Sequence, residues 1–161
     1  MAKKADKKAA DSGPRITNKK AYHDYELVEK VEAGIALLGT EVKSLREGQG
    51  DLEGAYARII DNECWLVGCK IAQYAQAGQS NHDPTRKRKL LLRKAQIHKI
   101  TGKLTQRGFT LVPLRIYFNS RGLAKVEVAL GRGKRQYDKR QKLQAEQQKK
   151  DVARDMKKFR R

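Results

Sequence analysis

The residues with the most chemical potential lie between His82 and Lys94, in the stretch HDPTRKRKLLLRK. Six of the nine residues from Arg86 to Lys94 are Lys or Arg, none is acidic, and Leu90, Leu91 and Leu92 sit among them. A run of like charge is ordinarily a solvated tail, but three leucines gain nothing in water. The segment is therefore expected to be fastened to a core with its cations outward. Two readings fit it: a charged loop leading into a helix, or a clamp for a phosphate backbone in which each cation displaces condensed counterions.

Catalytic constellations are weak by comparison. Asp24, Glu26, Glu29 and Glu32 are the densest acids, but one strand splits them between two faces, whereas metal-dependent nucleases need carboxylates converging from several elements. Gly131-Arg132-Gly133-Lys134 is followed by Arg135, which breaks the pattern of a phosphate-cradling loop. His23, His82 and His98 are scattered, and Cys64 and Cys69 give a single C-x4-C pair where a zinc site needs a second pair. The two cysteines would face opposite ways if Cys64 to Ile71 were one strand. No enzymatic activity, metal or cofactor is expected.

Composition points the same way. The 161 residues suit one domain with tails. Thirty-seven Lys and Arg against 18 Asp and Glu give a formal charge of +19, and a pI near 10.1 is typical of nucleic-acid binders. Uncharged apolar runs fall far short of the roughly 18 residues of a membrane span. No apolar core follows the basic N-terminus as a signal peptide would require, so a cytoplasmic location and no membrane partner are expected. The charge is uneven: +5 over residues 1–20, −6 over 21–63, +11 over 64–130 and +9 over 131–161.

The elements that must position these residues can be read from periodicity. Residues 1–17 lack apolar bulk and form a disordered basic arm. From Tyr25 apolar residues take the odd positions (Leu27, Val31, Ala33, Ile35, Leu37) and charged ones the even, the signature of a long half-buried strand, with Gly34 as the place to bend or bulge. Gly39 to Gly48 reads as a short helix with Thr40 as N-cap, Glu41 in its first turn, and Val42 and Leu45 closing one end of a sheet. Ala55 to Ile60 and Cys64 to Ile71 form a hairpin about Asp61-Asn62-Glu63. Ile97, Ile100 and Leu104 predict a helix over 92–107. Two further strands hold Val112, Leu114, Ile116 and Phe118 on one parity, and Ala124, Val126, Val128 and Leu130 on another, with Pro113 marking an edge or bulge.

These elements predict a mainly β fold: a small antiparallel barrel of the oligonucleotide-binding (OB) type with two or three flanking helices, a body over residues 18–131 and a basic disordered tail over 132–161. In the tail Val152, Met156 and Phe159 have helical spacing, enough for a helix on a partner but marginal alone. A nonspecific basic tail fits its composition equally well.

The motifs NKKAYHDYEL (Asn18 to Leu27), EAGIALLGTEVKSLREG (Glu32 to Gly48), HDPTRKRKLLL (His82 to Leu92), TLVPLRIYF (Thr110 to Phe118) and GRGKRQYDKR (Gly131 to Arg140) occur in that order. Together they resemble the small protein B family, the SsrA-binding proteins of bacterial trans-translation, over nearly the whole chain after Thr17. The resemblance implies an OB-type barrel that binds the tRNA-like part of transfer-messenger RNA and delivers it to stalled ribosomes, so that the nascent chain is tagged. It implies RNA contacts at Asn18, Glu32 and Leu91. Lys19, Lys20, Arg86, Arg88 and Lys89 would meet phosphates, His23 or Tyr25 would stack or hydrogen-bond, and Glu32 would accept from a base amino group or orient a neighbouring Arg. The tail residues Gly133, Lys134, Tyr137, Asp138, Lys139 and Arg140 would dock in the ribosomal decoding region and the empty messenger channel, helical only when bound. Alanyl-tRNA synthetase and elongation factor Tu would meet the protein indirectly, through the RNA. Arg135 stands where the family usually has a second Lys, and the N-terminal arm is this chain's own. A ribosomal protein or an RNA-chaperone barrel is the competing class, and it would bind many RNAs alike.

Overall fold

The computed structural model describes residues 13–106 and 108–134, together with Gln147. The expectations for residues 1–12, for Tyr137, Asp138, Lys139 and Arg140, and for a helix at Val152 to Phe159 lie outside the described residues. Among those described, no helix is long and apolar enough to cross a membrane.

The chain runs through β1 (Ile16–Thr17), α1 (Lys19–Asp24), β2 (Tyr25–Ile35), α2 (Gly39–Arg46), β3 (Gly50–Asp51), β4 (Tyr56–Ile60), β5 (Glu63–Val67), β6 (Lys70–Ile71), β7 (Arg88–Leu91), α3 (Lys94–Leu104), β8 (Phe109–Phe118) and β9 (Ala124–Gly133). Strands β8, β4, β5, β7, β2 and β9 pair in that order, and β9 pairs back onto β8, so the antiparallel sheet closes into a six-stranded barrel with β1 added to β8. Closure removes the exposed edges that so many short strands would otherwise present. The interior is filled by Ala33, Ile35, Leu66, Leu90, Leu111, Ile116, Val126 and Val128 among others. α2 covers one end through Leu45, which is fully buried, and Val42 packs beside it. α3 presents Ile97 and Ile100 inward, with Leu104 packed against the core.

Local chemistry sets several details. Asp61 and Asn62 both take positive φ, 50° and 59°, so β4 and β5 are joined by a two-residue turn and Glu63 belongs to the strand. Gly68 breaks the next strand with φ 76°, which lets Cys64 and Cys69 both point inward, where one continuous strand would have set them on opposite faces. Burial pushes both thiols up to about 11. The bulge in β2 falls at Val28, between Leu27 and Glu29, and not at Gly34. Gly34 instead makes room for a neighbour: a Cβ there would sit 3.2 Å from the Cβ of Leu91.

Pro113 does mark a bulge, between Pro113 and Arg115 on the β9 side of β8. That bulge flips the parity of the strand. Ile116 and Phe118 fill the barrel, whereas Val112 and Leu114 face outward and join Ala21 and Ala129 in a second small core under α1. The single parity expected for Val112 to Phe118 is therefore corrected. So are the strict limits of the body, since Ile16 pairs with Ile116 and β9 continues to Gly133.

Candidate nucleic-acid interface

The outer surface of β7, β2, β9 and β8 forms an ordered grid. Register places Leu91, Gly34, Lys125 and Tyr117 in one row across four strands, Glu32, Glu127 and Arg115 in the next, and Lys30, Ala129 and Val112 in the third. With strands about 4.8 Å apart, the first row spans about 14 Å. α1 lies at the far end, anchored by Ala21 in the second core, with the Lys30 ammonium 5.7 Å from the centre of the Tyr22 ring. Leu91 is exposed across Gly34 from Lys125, and along β2 the face reaches Lys30 and the Tyr22 ring of α1.

Charges on this face are paired in a chain. Glu127 receives Arg115 and lies 3.8 Å from Lys30; the guanidinium of Arg115 stands 5.0 Å over the Tyr117 ring; the Tyr117 hydroxyl donates to Glu32; and Lys125 lies 3.6 Å from Glu32. Glu32 thus sits half-exposed between a phenol and a lysine, where one carboxylate oxygen is engaged by each and a base amino group can still approach from solvent. The buried Tyr117, with Arg115 over its ring, orients Glu32, and Lys30 and Lys125 place positive charge on either side of this acceptor. Sequence reasoning missed Lys30, Arg115, Tyr117 and Lys125. The signal was available as the polar parity of the same strands whose apolar parity was read.

α1 was also missed. Six residues are too few to show helical periodicity, and only Asn18 announces it. Its Oδ1 accepts from the Ala21 N–H at 3.1 Å, and its Nδ2 donates to Leu52 O at 3.0 Å and Pro113 O at 3.1 Å. Asn18 is largely buried and fixes the helix that carries Lys19 and Lys20, while it also lines the groove beside that helix. Lys20 pairs with Glu53 at 2.8 Å, and that hydrogen bond, with the charge behind it, raises its pKa. Lys19 and His23 are exposed, His23 with Nδ1 3.0 Å from Asp24 Oδ1. Tyr25 is half-buried, its ring packed over Gly131 and against the second core. A groove of about 510 Å³ opens between α1 and the start of β4, lined by Lys20, Asp24, Tyr25, Glu53 and Tyr56.

The basic segment is turned differently from the sequence expectation. In β7 the residues alternate, so Lys89 and Leu91 face out while Arg88 and Leu90 face in. Arg88 is fully buried: Nε donates to Glu41 at 2.8 Å, Nη1 to Cys69 O at 2.7 Å and Arg86 O at 3.0 Å, and Nη2 to Pro84 O at 3.0 Å. A phosphate contact by Arg88 is ruled out by this burial. Arg86 gives Nε and Nη2 to the same carboxylate at 2.7 and 2.5 Å and keeps a partly exposed edge. Burial pushes the Glu41 carboxyl up, but the Arg86 hydrogen bond, the Leu38 N–H at 2.7 Å and the Arg88 charge outweigh it and hold the group below its ordinary value. Leu38 occupies the N-cap expected for Thr40, whose hydroxyl instead meets Nδ1 of the buried His82 at 2.9 Å. Lys89 pairs with Glu63 at the outer surface, beside Trp65 on β5. Of the four candidates in this segment, Lys89 and Leu91 share the outer face with Glu32, Arg86 stands at the end capped by α2, and Arg88 belongs to the core.

Gly133 and Lys134 end the body next to α1. Gly133 pairs with Tyr25, the Lys134 N–H donates to Asp24 O at 3.0 Å, and its ammonium donates to Tyr22 O at 3.0 Å and His23 O at 3.1 Å. Among the described residues, no cluster of three or more His, Cys, Asp or Glu could hold a metal ion.

Comparison with known proteins identifies the family and supports the fold. The model of the family described as SmpB protein matches residues 15–158. An SsrA-binding protein of Symbiobacterium thermophilum is 51% identical over 145 residues, 90% of this chain and 92% of its own length. One from Thermus thermophilus is 54% identical over 127 residues, 79% of this chain and 88% of its own. A solved structure described as "tmRNA-SmpB: a journey to the center of the bacterial ribosome" superposes with a TM-score of 0.66 at 53% identity, covering 77% of this chain and 87% of that one. A barrel with these motifs in this order, matched by the family model from β1 through the tail, belongs to the SmpB protein family, the SsrA-binding proteins.

Proposed function

We propose that this chain binds the tRNA-like part of transfer-messenger RNA and carries it to stalled ribosomes, where trans-translation tags the nascent chain and frees the ribosome. Membership of the SsrA-binding family and the likeness to a relative solved with its RNA on the ribosome support this reading. The observation that carries it is the outer face of the barrel, where Glu32 is set among Lys30, Arg115, Tyr117, Lys125 and Leu91, with α1 reaching the same face through Tyr22 beside Lys30. Positive groups there take phosphates, the exposed Leu91 packs on an unstacked base, and the carboxylate selects an amino group. Lys89 extends the face from β7.

In this reading the body is a binding module and not a catalyst. It works in the cytoplasm, and alanyl-tRNA synthetase and elongation factor Tu meet it only through the RNA. The tail beyond Lys134 acts as a separate device: Tyr137, Asp138, Lys139 and Arg140 dock in the decoding region and the empty messenger channel.

The test is to express the tagged chain in a bacterium lacking its own family member, purify it at moderate salt and sequence the RNA that accompanies it. One RNA with a tRNA-like end is expected to dominate, and the cells are expected to regain tagging. Recovery of ribosomal RNA fragments alone, without a tRNA-like species, would overturn the reading in favour of a general RNA-binding barrel.

A further inference from the structure

Lys134 was expected to act on the ribosome, yet in the fold its polar atoms are turned back onto the body. Its backbone N–H and its ammonium together engage three consecutive carbonyls, those of Asp24, Tyr22 and His23, at 3.0, 3.0 and 3.1 Å. These carbonyls close the last turn of α1, where a helix leaves its acceptors unsatisfied and favours a cation. α1 has only six residues, and its C-cap Tyr25 donates its N–H to Ala21 O, which leaves the next three carbonyls to other donors. Asn18 fixes its first turn and Lys134 its last. The residue that holds the C-terminal end of α1 is therefore also the first residue of the tail after β9.

We propose that Lys134 is a positioning residue, a latch that sets the direction in which the C-terminal tail leaves the barrel by gripping the carbonyls of α1. Because α1 also carries Lys19 and Lys20, which the proposed function assigns to phosphates, the latch ties the tail's point of departure to a helix that would hold the RNA. This inference rests on the proposed role of the tail on the ribosome. A lysine that merely touched ribosomal RNA would have its ammonium directed away from the body, whereas here two carbonyls of α1 share it.

The test uses the full chain. Cys64 and Cys69 are buried, so cysteines introduced by Ser120→Cys in the β8–β9 turn and Gln141→Cys in the tail take spin labels selectively. Lys134→Met keeps the aliphatic stem and removes the ammonium; Lys134→Arg restores donors for both carbonyls. In the free protein Lys134→Met is expected to broaden the distance distribution between the labels and Lys134→Arg to restore it, with the thermal midpoint of the body nearly unmoved. In the functional assay Lys134→Met is expected to keep affinity for the tRNA-like RNA within twofold and to lower tagging at least tenfold, and Lys134→Arg to recover most of that loss. An unchanged distance distribution in Lys134→Met, or a broadened one with tagging intact, overturns the latch. A parent protein that neither binds the RNA nor supports tagging would instead sink the proposed function, a result the distance measurement on the free chain keeps separate.

Discussion

Replacing Arg88 by Met separates a structural cation from an RNA-binding one. The guanidinium is fully buried and makes four hydrogen bonds, one to Glu41 and three to the carbonyls of Cys69, Arg86 and Pro84. Removing one member of a buried charge pair costs about 3–5 kcal/mol, because its partner groups stay buried and lose their donors. Arg86 still neutralises part of the Glu41 charge, which favours the lower half of that range. For a body of this size the loss corresponds to a fall of roughly 10–20 °C in the thermal midpoint. A cation that reaches no phosphate releases no counterion, so the salt slope of RNA binding should not change. Lys89→Met, on the outer face of the same strand, should behave inversely: its exposed pair with Glu63 contributes no more than about 1 kcal/mol, while the slope should fall by about 0.9 if it contacts a phosphate. Urea unfolding followed by the fluorescence of Trp65, and titrations of the tRNA-like RNA at several salt concentrations with folded protein, measure the two quantities. An Arg88→Met protein that loses less than about 1 kcal/mol, or whose slope falls by a full unit, would refute this assignment.

Two further expectations concern the barrel and its helices. Glu29 accepts from Lys103 and from Lys99, the latter at 2.5 Å, and these bonds lower its carboxyl to about 2, tying α3 to β2. A carboxyl depressed in the folded state stabilises fully above its unfolded value, near 4.5, and loses that contribution as pH falls towards 2. The difference in thermal midpoint between the parent and Glu29→Gln should therefore be constant above about pH 5 and shrink between pH 4 and 2; a gap that does not respond to pH would contradict the pairing. At Gly50 a Cβ would lie 2.6 Å from Cδ1 of Ile16 and 3.0 Å from Cδ2 of Leu45, both buried. Gly50→Ala should lower stability by about 1–3 kcal/mol in urea unfolding, and a change under about 0.5 kcal/mol would show that β1 and α2 can yield.

Where the structure departs from sequence expectation, distance along the chain is the cause. The alternation in β2 was legible because each residue reports its own face, and Asp61-Asn62 announced a turn by residue type. Nothing near Arg88 says that it points inward, since its carboxylate partner Glu41 lies 47 residues away. The parity of β8 was misread for a related reason. Pro113 announced a bulge, but which side residues fall on after it depends on the register with β9. Asn18 shows the same division: its type marks a cap, while its amide bonds to Leu52 and Pro113 exist only once β8 and the β3–β4 segment come together.

The sequence by itself determined that this is a basic, mainly β RNA-binding protein of a recognisable family, because composition, alternation and motif order are properties of neighbours along a chain. Tertiary structure alone decided which cations remain available to RNA. Burial, register and pairing are set by residues far apart in sequence, and they sent Arg88 to the core, set Lys30, Arg115 and Lys125 around Glu32, and fastened Lys134 to the end of α1.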